Sequence, residues 1–142
     1  MTTIAYRNGV LAADTLMTLS NLREGHVIKV RRMNGVLAAA AGNWPLALRF
    51  LDWVSSGMGA ADAPSMGDSE MNAAGHLFLP NGEVLTYARN GWSRFHTAYY
   101  ADGTGCDIAM GAMAMGASAE EAVRIAIDLD VYSGGRVVCV RF

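Results

Sequence analysis

The chain contains four Asn-Gly pairs, and these most constrain its fold. They are Asn8-Gly9, Asn34-Gly35, Asn81-Gly82 and Asn90-Gly91. This dipeptide readily adopts the positive φ angles of a type I′ turn, which joins two antiparallel strands. Segments of strand-like composition flank the pairs: TTIAY and VLAAD, HVIKVRRM and VLAAAA, HLFLP and EVLTYA, with WSRFH after the fourth. The pattern predicts meandering hairpins and antiparallel sheet over much of the chain.

Two helical patterns interrupt the strands. The segment NWPLALRFLDWVSS has Asn43 as an N-cap, Pro45 in the first turn and apolar residues at helical spacing. The segment DIAMGAMAMGASAEEAVRIAIDLD predicts two helices that meet near Gly116, with Ser118 and Glu121 as a capping box for the second. A valine-rich strand, RVVCVRF, follows. This order is typical of an α+β domain in which two sheets pack together and helices cover them.

Length and composition exclude several classes of function. The 142 residues predict a single domain over 1–142, large enough to bury a core without disulfides or metals. The net charge of -2 argues against binding to nucleic acid or an anionic membrane. The histidines and the two cysteines lack metal-ligand spacing, so we expect no metal and no cofactor. With no signal peptide and no apolar run of membrane-spanning length, we expect a cytoplasmic protein.

The first residues, Met-Thr-Thr-Ile, allow two interpretations: the frayed start of a strand, or a nucleophile. Removal of Met1, for which methionine aminopeptidase would suffice, exposes Thr2 with a free α-amine that can serve as the base for its own hydroxyl. Such a hydrolase also needs a lysine, a carboxylate that holds the lysine, and N–H groups for the oxyanion. Asp14, Lys29 and Gly42 are candidates. Strand alternation leaves Lys29 equally compatible with a cleft and with an exposed face.

Four segments, in order over nearly the whole chain, resemble the proteasome β-subunit and HslV peptidase family of N-terminal-nucleophile hydrolases. They are TTIAYRNGVLAAD, HVIKVRRMNGVLAAAAGN, GTGCD and DLDVYSGG. The resemblance implies a four-layer αββα sandwich of two antiparallel sheets covered by helices, with the nucleophile at one end of the paired sheets. Between the first helix and HLFLP the family usually has a second long helix. Here GMGAADAPSMGDSEMN predicts a loop, so the chain resembles a shortened member.

The resemblance also implies a set of site residues. The implied nucleophile is Thr2, the catalytic lysine is Lys29, and the acid that holds this lysine is Asp14. Gly42 is the implied oxyanion-hole glycine, and Thr104 is the hydroxyl near the amine. Asp130 and Ser133 are the second acid and the second hydroxyl that complete the implied catalytic residues. Thr104 stands where the family usually has serine, and it keeps the hydroxyl. The implied substrate-binding residues are Met17, Thr18, Val27, Ala40 and Trp44. Thr18 would lie near the substrate backbone, and the others would form a small apolar pocket for uncharged side chains.

Together these features predict a threonine-type endopeptidase that cleaves a peptide or unfolded protein through an acyl-enzyme on Thr2. The resemblance implies a homo-oligomeric ring around the sites and an ATPase unfoldase as partner. One alternative is a stand-alone amidohydrolase that uses the same nucleophile on a small amide, which an open site without a ring would favour. The other is a catalytically silent scaffold subunit that retains Met1. Asp14, Lys29 and Asp130 together argue against it, since a silent subunit has no chemical need for them.

Overall fold

The computed structural model describes residues 2–58 and 63–142. The helices are α1 (Trp44–Ser55), α2 (Cys106–Ala114) and α3 (Ala119–Leu129). The strands are β1 (Thr3–Arg7), β2 (Val10–Ala13), β3 (Leu16–Leu19), β4 (Leu22–His26), β5 (Val30–Met33), β6 (Val36–Gly42), β7 (Ala73–Phe78), β8 (Glu83–Ala88), β9 (Gly91–His96), β10 (Tyr99–Gly103) and β11 (Val138–Arg141). Met1, and residues 59–62 of the loop predicted over 57–72, lie outside the described residues.

The strands form two large antiparallel sheets and one small one. The first large sheet has the order β10-β1-β2-β11, the second has the order β5-β6-β7-β8-β9, and within the described residues β3 pairs only with β4. The predicted turns at Asn8-Gly9 and Asn34-Gly35 are confirmed, with φ angles of 51° and 76° in the first and 53° and 77° in the second. At the fourth pair the two-residue turn is Arg89-Asn90, one position earlier, because Ala88 pairs with Gly91.

Three apolar cores define the layers. Between the large sheets, Ile4 and Leu11 of one meet Leu37 and Phe78 of the other. Helix α1 covers the outer face of the five-stranded sheet, and α2 and α3 cover the outer face of the four-stranded sheet. Alanines on the outward faces of the strands let these helices approach closely. The predicted four-layer αββα sandwich is therefore confirmed.

The helix ends follow the predicted capping residues. The Asn43 side chain accepts a hydrogen bond from the Leu46 N–H at the start of α1, and Ser118 and Glu121 form the capping box of α3. Among residues 56–58 and 63–72, no second helix follows α1. Instead, Met66 is buried against α1, and residues 67 and 72 form an isolated antiparallel bridge. No helix in the described part of the chain is long and apolar enough to cross a membrane.

The segment HVIKVRRM departs from the single predicted strand. Strand β4 ends at His26 and β5 begins at Val30, so three residues link them. Lys29 and Val30 are only 3% and 2% exposed. Two consecutive buried side chains break strict alternation, because Lys29 reaches a buried carboxylate while Val30 joins the core between the sheets. Of the two environments that the sequence left open for Lys29, the exposed one is excluded.

Candidate active site

A cleft of about 450 Å³ opens between the two large sheets, at the end where β1 begins. Thr2, Gly42 at the end of β6, and Thr104 after β10 line it. Its other lining residues are Ala41, Asn72, Ala73, Ala74, Ala88, Arg89, Asn90, Asp102 and Gly103. The alanine side chains fill little of the space between the sheets, which leaves room for a ligand beside Thr2.

The two threonines after Met1 occupy different environments. Thr3 is fully buried, and its Oγ1 lies 2.7 Å from Ser133 Oγ. The Thr3 N–H donates to Asp14 Oδ1 at 3.0 Å. Thr2 is also buried, at 4% exposure, but it lines the cleft. The hydroxyl of Thr3 is therefore engaged in the structure, and Thr2 is the threonine presented to a ligand.

Asp14 is the centre of a buried hydrogen-bond network. Its side chain is completely buried directly after β2. Oδ1 accepts from Lys29 Nζ at 2.8 Å and from the Thr3 N–H at 3.0 Å, while Oδ2 accepts from the Gly134 N–H at 3.0 Å. These donors compensate the loss of hydration that burial of a carboxylate entails. Asp14 thus ties the first strand to the segment that follows α3.

Lys29 is held from two sides. Besides the bond to Asp14, its Nζ donates to the Leu16 carbonyl oxygen at 2.7 Å. Burial lowers the pKa of Lys29, and the charge and hydrogen bond of Asp14 oppose that shift. The amine therefore lies in a fixed position, one carboxylate oxygen away from the peptide bond between Thr2 and Thr3.

A second network surrounds Asp130, the C-cap of α3. Its Oδ2 accepts from Thr104 Oγ1 and from Ser133 Oγ, both at 2.6 Å. Because Ser133 gives its proton to Asp130, Thr3 donates the hydrogen bond between Thr3 and Ser133. Burial raises the pKa of Asp130, but these two hydroxyls and the Tyr132 N–H outweigh it and hold the pKa below its ordinary value. Thr3 therefore joins this network to that of Asp14.

Gly42 has a backbone conformation and surroundings that only glycine tolerates. Its φ angle is +103°, in the region that side chains disfavour. A Cβ atom there would lie 2.7 Å from the Asn72 carbonyl oxygen and 2.8 Å from Ala73 Cα. The chain passes from β6 into α1 within two residues of Gly42, so its backbone is exposed to the cleft at a sharp turn.

Comparison with solved structures identifies the fold. The chain is similar to Thiobacillus denitrificans BPH in complex with epoxomicin, with a TM-score of 0.71, 20% identity and coverage of 99% of this chain and 97% of that chain. It is also similar to the eukaryotic HslV from Trypanosoma brucei, with a TM-score of 0.72, 19% identity and coverage of 98% and 97%. This chain has the HslV fold. No family model and no curated protein match its sequence.

In this HslV fold, the seven predicted catalytic residues fall into three connected groups. Lining the cleft are Thr2, Gly42 and Thr104. Asp14 and Lys29 form the first network, and Asp130 and Ser133 form the second, where Thr104 also donates. All seven lie around the end of the sheets where β1 begins, although their sequence positions span most of the chain.

The five predicted substrate-binding residues are not brought together. Thr18 lines a second cleft, of about 370 Å³, that shares Gly42 with the first. Val27 lines a third cavity, beside Thr15 and His26. Ala40 packs in the core beneath α1, Trp44 is the partly buried first residue of α1, and Met17 lies in β3. Within the described residues these five form no single apolar pocket, and their role in binding substrate stays a prediction.

Sequence reasoning missed Asn72, Arg89 and Asp102, which all line the Thr2 cleft. Asn72 comes from the loop before β7, and Arg89 from the turn between β8 and β9. Asp102 lies in β10, a strand that the residue pattern did not predict. Alternation within YYADG places Asp102 on the inward face, and this is the signal that could have found it. Among the described residues, no group of three or more His, Cys, Asp or Glu could hold a metal ion.

Replacement of Gly42 by alanine tests the backbone geometry. We expect Gly42→Ala to lower the free energy of unfolding by about 1–3 kcal/mol more than the same substitution at a control glycine, because the new Cβ would meet backbone atoms. The control is Gly82→Ala, whose φ angle is +86° but whose Cβ position is open. Urea denaturation of both variants measures the difference. Equal losses would show that strain at positive φ, rather than the contact with Asn72 and Ala73, accounts for the effect.

Proposed function

We propose that this chain is a threonine peptidase that cleaves peptide bonds through an acyl-enzyme on Thr2, after Met1 has been removed. The observation that carries the proposal is the position of Thr2 in a cleft, directly preceding a residue bonded to the buried Asp14–Lys29 pair. The HslV fold is consistent with this placement, since it accommodates epoxomicin in the Thiobacillus denitrificans BPH complex.

The proposed chemistry uses the chain's own groups. The free α-amine of Thr2 accepts the proton from Thr2 Oγ1, which attacks the peptide carbonyl carbon. The negative charge that develops on the carbonyl oxygen is stabilised by the N–H of Gly42, since the next N–H, of Asn43, donates to the Asn72 carbonyl oxygen. The ammonium then returns the proton to the leaving amine as the C–N bond breaks, and an ester to Thr2 remains. Attack by water, with the same amine as base, releases the acid.

The two networks have separate roles in this mechanism. Lys29 places positive charge beside the Thr2–Thr3 segment, which favours the neutral amine and the ionised hydroxyl. Asp14 keeps Lys29 in position. The network of Asp130, Ser133 and Thr104 provides oriented hydroxyls at the same end of the sheet and anchors Thr3. The substrate class is a peptide or an unfolded protein.

We also propose that the chain assembles into a homo-oligomeric ring in the cytoplasm. An ATPase unfoldase would deliver substrate to this ring. The resemblance of the sequence to the proteasome and HslV family supports both the ring and the ATPase partner. Sedimentation velocity of the purified chain distinguishes a ring from a monomer. A monomer that cleaves small amides at an open cleft would favour the stand-alone amidohydrolase instead.

Epoxomicin labelling with intact-mass analysis tests the proposed nucleophile. We expect the wild-type protein to lack Met1 and to gain a single adduct on Thr2, because an epoxyketone reacts with a hydroxyl and its adjacent amine. Thr2→Ala should give no adduct. The matched control is Thr3→Ser, which keeps the hydroxyl bonded to Ser133 and should still be labelled at Thr2.

Retention of Met1 with no adduct on the wild-type protein would contradict the peptidase proposal and favour a silent scaffold subunit. An adduct that persists in Thr2→Ala would place the nucleophile elsewhere. Both outcomes are read from the same mass spectra, with peptide mapping to locate the modified residue.

A further inference from the structure

A buried histidine–carboxylate pair joins the two large sheets behind the Thr2 cleft. His76 in β7 is 2% exposed, and its Nε2 lies 2.7 Å from Oδ2 of Asp102 in β10. The imidazole packs near the ring of Tyr100, with centroids 5.3 Å apart. Because a carboxylate accepts hydrogen bonds, Nε2 carries the proton and donates. Nδ1 is buried and has no hydrogen-bond partner within the described part of the chain.

Asp102 borders the cleft that contains the proposed nucleophile. Its side chain is 32% exposed and lines the cleft with Thr2. In the register of β10 with β1, Gly103 lies opposite Thr3 and Asp102 lies opposite Ile4. The carboxylate therefore enters the cleft from the strand beside β1. His76 holds one of its oxygens from behind, so the exposed part of the carboxylate faces the space that a ligand would occupy.

The carboxylate of Asp102 is a fixed negative charge. Burial raises its pKa, but the hydrogen bonds from His76 and from the N–H of Gly103 outweigh burial and hold the pKa below its ordinary value. Arg89 is the other charged residue among those described in the lining. It lies exposed on the β8–β9 turn, where its charge also acts on Asp68. Arg89 is therefore an exposed side chain at the edge of the cleft, whereas Asp102 is held by His76.

We propose that Asp102 sets the substrate preference of the Thr2 cleft by selecting peptides with a lysine or arginine side chain next to the cleaved bond. The inference rests on the proposed peptidase function and names its substrate class. A fixed carboxylate accepts charge-assisted hydrogen bonds from an ammonium or guanidinium group and repels an acidic side chain. His76 is a positioning residue, since it holds the carboxylate in its orientation. Asp102 thus gives the cleft a different preference from the uncharged one predicted from the sequence.

Equilibrium binding to the Thr2→Ala protein tests this inference without hydrolysis. The probes are peptides that are identical except for lysine, norleucine or glutamate at one position. One set varies the residue before the central peptide bond, and a second set varies the residue after it. In one of the sets we expect lysine to bind about 10- to 100-fold more tightly than norleucine, and glutamate to bind most weakly. A lysine to norleucine ratio near one in both sets would overturn the inference.

Substitutions in this background test which residue produces the preference. Asp102→Asn should bring the lysine to norleucine ratio close to one while norleucine binding is kept. His76→Gln retains an N–H donor and should keep the ratio, whereas His76→Leu should lose it; a purely structural role would weaken both peptides equally. Arg89→Gln should raise the ratio, and it provides the test if Asp102→Asn does not fold. A lysine to norleucine ratio that is unchanged in Asp102→Asn would overturn the role of Asp102. If Asp102→Asn does not fold, an unchanged ratio in Arg89→Gln would overturn it.

The inference and the proposed function fail separately. Loss of epoxomicin labelling with lysine preference retained in Thr2→Ala would overturn the peptidase and leave the cationic subsite in place. Labelling of Thr2 without any lysine preference would support the peptidase and overturn the role of Asp102. Circular dichroism of each variant at the binding temperature verifies that it is folded.

Discussion

Lys29→Met is expected to lower the kcat for a peptide substrate by at least about 100-fold, and KM is expected to change little. Methionine occupies a similar volume, but it removes the positive charge that lies beside the Thr2–Thr3 peptide bond. Without that charge, proton transfer from the Thr2 hydroxyl to the α-amine becomes less favourable. Steady-state kinetics on a fluorogenic peptide, with the enzyme concentration taken from absorbance and folding verified by circular dichroism, measures the effect.

The matched control for Lys29→Met is Arg31→Met, two residues further along. Arg31 is 30% exposed, and its NH1 pairs with Asp52 at 2.9 Å on the surface. Removing this cation changes the net charge equally, but it leaves the buried network intact. We expect kcat for Arg31→Met within about twofold of the wild type, since exposed charges are screened by solvent. If both variants lost activity to the same extent, a general electrostatic effect would replace the specific role of Lys29.

Asp14→Asn is expected to lower the free energy of unfolding by about 3–5 kcal/mol, the largest stability effect that we anticipate. Asparagine has the same shape, but one side of its amide is an NH₂ donor. Whichever way the amide is turned, that donor faces Gly134 N–H or the donors of Lys29 and Thr3. The substitution also removes the negative charge that Asp14 places beside the buried ammonium of Lys29. Urea denaturation monitored by tryptophan fluorescence measures the loss.

The pH dependence of Asp14→Asn follows from Lys29. Burial lowers the folded-state pKa of Lys29, and the substitution removes the carboxylate that opposes this shift. Between the folded-state pKa of Lys29 and its higher unfolded-state pKa, the unfolded state therefore binds more protons than the folded state. Stability rises with pH under that condition, so the deficit of Asp14→Asn should shrink as the pH rises from neutral towards alkaline values. A deficit that grew with pH would contradict this account.

Asp52→Asn is the control for Asp14→Asn. Asp52 also pairs with a cation, but its side chain is 62% exposed, and water replaces the lost interaction. We expect a loss below about 1 kcal/mol. Comparable losses in the two variants would show that the burial of Asp14 does not determine its contribution to stability.

The sequence by itself determined the features that depend on near neighbours. The turns at Asn8-Gly9 and Asn34-Gly35 form as predicted because the residues within each turn set its φ angles. The caps at Asn43 and Ser118 form as predicted because a cap bonds to a residue three positions away. Apolar alternation between these local signals was enough to predict two covered antiparallel sheets.

The tertiary structure alone decided where charged side chains point. Lys29 was compatible with either face of a strand, and its burial follows from Asp14 and Leu16, which lie 15 and 13 residues away. The pairing of His76 with Asp102 spans 26 residues and two different sheets. A buried charge is stable only where other segments supply its partners, and one segment's residue pattern carries no information about that meeting. Hence the sequence predicted the fold, whereas the lining of the cleft required the packed sheets, and the roles of the catalytic candidates stay predictions.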